Sequence, residues 1–132
     1  MPLKITLKPH EKVLIGSAVI VNGGSKSELV VLNKVPVLRG KEIITPEQAD
    51  TVAKNIYLSI LNMYADPKNE KKYHDYYFIF VREFLSAVPT EESLAITMEM
   101  SKKILEGDHY QALKVSRKLI DYEQEVMQHV KR

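Results

Sequence analysis

The sequence predicts an α+β fold, with a small antiparallel β-domain of about five short strands over residues 1–44 and a helical domain of four helices over residues 45–132. Three observations predict it. Apolar and polar residues alternate strictly from Leu3 to Lys8, the period of a half-buried strand. Short β-rich runs separated by Gly, Pro and Asn follow as far as Ile43. Beyond Thr45 the apolar residues recur at three-to-four spacing instead, the period of a helix with one face in a core.

Leu3, Ile5 and Leu7 share one face of the first strand, and Lys4, Thr6 and Lys8 the other. Pro9-His10-Glu11 reads as a turn, Lys12 to Ile15 as a second strand ended by Gly16, and Ala18 to Val21 as a third. Asn22-Gly23 then predicts a hairpin, because both residues accept the positive φ of a type I′ turn, with Glu28 to Leu32 as the return strand. Asn33 to Ile43 reads as the last strand, lying at a sheet edge where Pro36 is tolerated because an edge can spare an N–H. A sheet this small, with no cysteine to cross-link it, must lean on the helical half or on a second copy.

Thr45 as N-cap, Pro46 at the first helical position and Gln48 three residues after Thr45 predict a first helix from Pro46 to about Ala65. Its core stripe is Val52, Ala53, Ile56, Tyr57, Ile60, Leu61 and Tyr64, and Asp66-Pro67 stops it. A second helix runs from Glu70 to Ala87, with Tyr73, Tyr76, Tyr77, Phe78, Phe80 and Phe84 expected mostly in the core. Thr90 caps a third, with Glu91 and Glu92 near the positive end of its dipole. Gly107 supplies a left-handed residue and Asp108 caps a fourth helix continuing to about Val130, so the last two helices form an antiparallel hairpin.

Composition narrows the function. With 45% apolar and 27% charged residues the chain is an ordinary globular one, without a run long enough to span a membrane. Its start, Met1-Pro2-Leu3-Lys4, lacks the apolar region of a signal peptide, so a cytoplasmic protein is expected. Cysteine is absent, which removes thiolate metal sites and cysteine nucleophiles. His10, His74, His109 and His129 fall in different elements and read as surface or helix-end residues, so no metal site and no cofactor are expected. No Ser-His-Asp set, phosphate loop or cofactor fingerprint appears, and neither an enzyme nor a small-molecule substrate is expected.

Charge is unevenly spread. Residues 1–44 carry seven Lys or Arg against three Glu, a net of +4, and residues 45–132 carry twelve against fourteen acids, a net of −2. Such an excess suggests an anionic partner for the first third. Lys4, Thr6 and Lys8 of the first strand with Lys34, Arg39 and Lys41 of the last would converge if those strands are neighbours in one sheet or meet across a dimer. Arg39 is the sharpest candidate, since a guanidinium on a strand edge suits phosphate and guanine better than a lysine does. Edge lysines that discourage strand-to-strand aggregation account for the lysines equally well.

Nearly the whole chain resembles the bacterial flagellar regulator family FlbT, on Pro2 to Pro9 with Glu11-Lys12, Asn33-Lys34, Val37-Leu38-Arg39, Ile56-Tyr57, Glu106-Gly107-Asp108, Ala112-Leu113 and Arg117 to Glu123. The resemblance implies a post-transcriptional regulator that associates with the 5′ untranslated leader of flagellin mRNA and lowers its translation or lifetime, some members acting as activators instead. More weakly, residues 2–43 are similar to the RNA-binding protein CsrA, through Leu3 to Lys8, His10 to Gly16 and Val35 to Gly40. That similarity implies a CsrA-like, strand-exchanged homodimer with an RNA site where the first and last strands meet. Leu7 and Leu38 depart from it, standing where that family has arginine and histidine, while Arg39 is retained.

The expected function is therefore a non-enzymatic, dimeric RNA-binding regulator of flagellin synthesis. Its RNA site would comprise Arg39, Lys4, Thr6, Lys8, Lys34 and Lys41. From a different class, the alternative is a protein–protein adaptor or chaperone-like cofactor of flagellar assembly that binds flagellin or a co-regulator through its helices.

Overall fold

A computed structural model describes residues 2 to 130, apart from the side chain of Val130. It divides into two compact units that meet in sequence between Ile44 and Thr45. The first unit holds β1 (Leu3–Leu7), β2 (Lys12–Ile15), β3 (Ala18–Val21), β4 (Ser27–Val31) and β5 (Val37–Arg39), and the second α1 (Val52–Ala65), α2 (Glu70–Ala87), α3 (Glu91–Leu105) and α4 (His109–Val130). The α+β class predicted above is the observed one.

The strands form two antiparallel sheets, β1-β4 and β3-β2-β5. Ile5 and Leu7 of β1 and Val13 of β2 make a shared core, against which Ile15, Leu29, Val31 and Val37 pack. Leu14 and Leu38, which face one another across β2 and β5, are buried on the opposite face. β3 is an edge strand whose four residues, Ala18-Val19-Ile20-Val21, are all exposed. β5 is the other edge of that sheet and is short, since Gly40–Glu42 turns into a single 3-10 turn.

The predicted Asn22-Gly23 hairpin is not formed, because β3 pairs with β2 and β4 pairs with β1. Asn22 and Gly23 instead continue the β2–β3 ladder, the Asn22 amide donating to the Glu11 carbonyl and the Gly23 carbonyl accepting from the His10 amide. The Asn22 side chain also donates to the carbonyls of Leu7, Lys8 and Ser25, tying the chain down where a turn was expected. The tight turn lies at Gly16-Ser17, between partners Ile15 and Ala18. Gly16 has φ +64° and is the first central residue, the pattern of a type II′ turn.

In the second unit α1 packs against α2 on one side and α4 on another, and α3 packs against α4. Ala53, Ile56, Tyr57, Ile60, Leu61 and Met63 are the buried face of α1. The helix begins at Val52, later than the predicted Pro46. The Thr45–Gln48 capping contacts do form, with the Thr45 amide donating to the Gln48 carboxamide at 2.8 Å, but they close only one turn. Thr51 is the working N-cap, its hydroxyl accepting from the Lys54 amide.

The remaining boundaries follow their signals. Asp66 ends α1, Thr90 caps α3 by accepting from the Ser93 amide, Gly107 takes φ +78° and the Asp108 carboxylate accepts from the Gln111 amide. The α2 aromatics depart from expectation. Tyr77 and Phe84 are buried, whereas Tyr76 and Phe78 are exposed, because one face of α2 lies against α1 and its outer face meets α3 only slightly. Tyr77 bridges that contact, its hydroxyl 2.7 Å from that of Ser101, and burial pushes its pKa up to about 12.

Candidate nucleic-acid interface

Arg39 closes β5 and stands opposite Val13 of β2. Its Nε donates to Glu11 Oε2 at 2.9 Å and its Nη2 to Glu11 Oε1 at 3.1 Å, a two-pronged pair that matches the guanidinium fork to a carboxylate. Nη2 also donates to the Thr6 carbonyl on β1 at 2.8 Å. β1 and β5 are not partners in one sheet, so of the two routes to convergence the one through neighbouring strands of a single chain is not taken. The Arg39 side chain spans the gap instead, giving Thr6 the donor that a neighbouring strand would have supplied.

Glu11 is held on two sides. The Lys8 amide donates to its Oε1 at 2.9 Å, and this bond, followed by the Arg39 contact, keeps the carboxyl below its ordinary value although partial burial opposes it. The Arg39 amide in turn donates to the Glu42 carboxylate at 2.8 Å, which fixes the start of the 3-10 turn. Thr6, Lys8, Glu11, Arg39 and Glu42 thus form one polar node joining β1, the following turn and β5. Nη1 of Arg39 has no hydrogen-bond partner among the described residues, and about 41% of the side chain is exposed.

The other predicted residues are spread over β1, the loop before β5 and the 3-10 turn. Lys4 lies on the Thr6 face of β1 and pairs with Glu28 of β4 at 3.4 Å. Lys8 is exposed at the end of β1, Lys41 is exposed within the 3-10 turn and Lys34 is exposed in the loop before β5. Leu7 and Leu38, the two departures from the CsrA pattern, are among the most buried residues, at 1% and 0% exposure. An ionic side chain at either would face the interior.

Glu11 escaped the sequence reading as a partner of Arg39; its signal was only its place in the turn after β1. A second omission concerns the histidines, for which no metal-ligand spacing was expected. Glu70 and His74 stand at i, i+4 on α2, and the fold brings His109, the first residue of α4, to the same carboxylate. Only the Glu70–His74 half of that set is visible in the sequence. The basic residues of α3 and α4 behave as a salted face, with Lys103 beside Glu106 and Lys118 beside Glu99, while Lys114 and Arg117 lie over the rings of Tyr110 and Tyr57.

The family model described as Flagellar protein FlbT matches residues 3–127. The chain belongs to the FlbT family. It is 39% identical over 130 residues to the flagellum biosynthesis repressor protein FlbT of Caulobacter vibrioides, a match that covers 98% of this chain and 92% of that one. It is 42% identical over 127 residues to the probable flagellum biosynthesis repressor protein FlbT 1 of Bradyrhizobium diazoefficiens, covering 96% and 85%. No solved structure matches it. A family whose relatives carry these names makes the chain a flagellar regulator, and FlbT is a regulatory family rather than a known enzyme family. No described helix is long and apolar enough to cross a membrane.

Proposed function

We propose that the chain is a repressor of flagellin synthesis that binds the 5′ untranslated leader of flagellin mRNA through its first unit. The observation that carries this reading is the net charge of +4 on residues 1–44, with Arg39 and Lys8 in one polar node and Lys34 and Lys41 exposed before and after β5. Lysines there neutralise phosphates and give affinity that falls with salt, while Nη1 and neighbouring backbone groups contact an unpaired loop. A homodimer is part of the reading, because β3 offers an apolar strand edge with free backbone groups and the first unit is too small to be stable by its own core alone.

Binding of a flagellin leader RNA at two salt concentrations tests the proposal. Affinity should fall steeply at the higher salt and should drop further when Arg39→Ala and Lys8→Ala are combined. Negligible affinity, or a double variant that binds as the parent does, rejects the RNA site.

A protein-binding role is favoured by one separate observation. Phe78 and Ile79 on α2 and Leu94 and Met98 on α3 are each at least half exposed, and shallow grooves lined by Phe78, Val81 and Leu85 and by Leu85, Pro89 and Leu94 adjoin at Leu85. In this reading the surface takes an apolar segment of flagellin or of a co-regulator. Phe78→Asp with Met98→Asp should abolish co-purification of such a partner while leaving RNA affinity and folding intact.

A further inference from the structure

We infer that Glu70, His74 and His109 form a binding site for a divalent transition metal, with Zn²⁺ as the best-matched ion. Glu70 opens α2, His74 stands one turn further along it, and His109 opens α4. Nε2 of His74 lies 3.5 Å from Glu70 Oε2, and Nε2 of His109 lies 3.3 Å from Glu70 Oε1. One ligand atom from each residue can be chosen so that all three lie within 4.8 Å of one another. Both Nε2 atoms are shielded from solvent and neither has a hydrogen-bond partner among the described residues.

Two buried imidazole nitrogens aimed at one carboxylate without hydrogen bonds are an incomplete arrangement for a purely structural cluster, since each ring nitrogen must donate or accept. A cation between them completes it. Zn²⁺ bonds nitrogen and carboxylate oxygen at about 2.0–2.2 Å, so neighbouring ligands of a tetrahedral ion stand about 3.3 Å apart; each imidazole already lies at about that distance from one of the two Glu70 oxygens, and the three ligand atoms lie within 4.8 Å of one another. Imidazole donors favour zinc and its neighbours over calcium or magnesium, which take oxygen. Both helices present their positive N-terminal ends here, so the Glu70 carboxylate is what makes the place hospitable to a cation. Three protein ligands leave the fourth position to water or to a side chain of another molecule.

The site's place in the fold gives the metal a task. α2 rests mainly on α1 and touches α3 lightly, and the His109 bond would tie the start of α2 to the start of α4. The metal then holds α2 in place as one wall of the apolar grooves beside α3. This function is independent of the RNA reading.

The test is calorimetric titration of Zn²⁺ into metal-free full-length protein carrying no added histidines, together with thermal melts with and without the ion. One Zn²⁺ should bind per chain and raise the melting temperature. His74→Ala, His109→Ala and Glu70→Gln should each weaken binding on the order of 100-fold, while His10→Ala and His129→Ala leave it unchanged. Co²⁺ should give the visible absorption of a tetrahedral nitrogen–oxygen site in the parent but not in His109→Ala. The metal-free melts of the variants report folding directly, and the parent titration decides even where a variant fails to fold. Absence of stoichiometric binding by the parent overturns the inference, as does binding that survives in the His74→Ala, His109→Ala double variant.

Discussion

Nη2 of Arg39 donates at once to Glu11 and to the Thr6 carbonyl, so one side chain fastens β5 to the turn after β1 and to β1 itself. Arg39 therefore holds the first unit together through Nε and Nη2, and Nη1 has no hydrogen-bond partner among the described residues. Its structural and binding roles separate by variant. Glu11→Gln and Arg39→Ala should both lower the melting temperature of the first unit. Their effects on RNA should oppose one another: Arg39→Ala weakens binding and flattens its salt dependence by about one phosphate contact, whereas Glu11→Gln removes a negative charge beside the guanidinium and tightens binding. Variants that weaken binding equally, in proportion to lost stability, would confine Arg39 to the structural role.

Restoring the arginine that the CsrA pattern has at position 7 should fail. Leu7 is 1% exposed and packs with Ile5 and Val13, so Leu7→Arg buries an unpaired charge. The expected result is loss of the first unit's cooperative unfolding, a cost above about 4 kcal/mol, seen in chemical denaturation. A folded Leu7→Arg protein with improved RNA affinity would contradict this placement of β1.

Glu123 of α4 is 7% exposed and its Oε2 accepts from the Ala53 amide at 3.0 Å, capping the start of α1 from a neighbouring helix. Oε1 of the same carboxylate is buried with no hydrogen-bond partner among the described residues. Glu123→Ala leaves the Ala53 amide unsatisfied and should cost about 1–3 kcal/mol in urea unfolding. Glu123→Gln keeps an acceptor and should cost less.

The first unit should be acid-sensitive. Glu11 has a folded pKa below its ordinary 4.5, held down chiefly by the Lys8 amide and then by Arg39. A depressed carboxyl contributes stability that is complete above the unfolded value and is lost as pH falls through the folded one. Stability followed from pH 6 downward should therefore be flat to about pH 5 and decline below it. Glu11→Gln should shed the part of that decline belonging to the first unit. The part due to Asp66, lowered by Asn69 and Tyr73, should remain in the second.

The legible parts of the fold were those written in local chemistry. The alternation of Leu3 to Lys8, the Thr90 cap, the Asp66-Pro67 stop and the Gly107-Asp108 turn each depend on neighbours a few residues away, and each stands where the sequence puts it. Asn22-Gly23 carried a hairpin signal that longer-range bonds to Leu7, Lys8 and Glu11 overrode. Thr45 and Gln48 made their capping contacts, but a second cap six residues later governs the helix. Arg39 stood out as a residue, while its partner Glu11 lies 28 positions away and is set by strand order. The Glu70–His74 spacing was present in the chain, and only tertiary packing adds His109.

The bond between Ala53 and Glu123 joins residues 70 positions apart, whereas α3 and α4 are joined by a three-residue turn. In kinetic terms the α3–α4 hairpin can nucleate from local contacts, and the α1–α4 joint must wait for closure of a long loop. Removing the Glu123 cap should accordingly speed unfolding while leaving the refolding rate nearly unchanged. The working life of the folded chain would then be set at the α1–α4 joint, the last to close and the first to open.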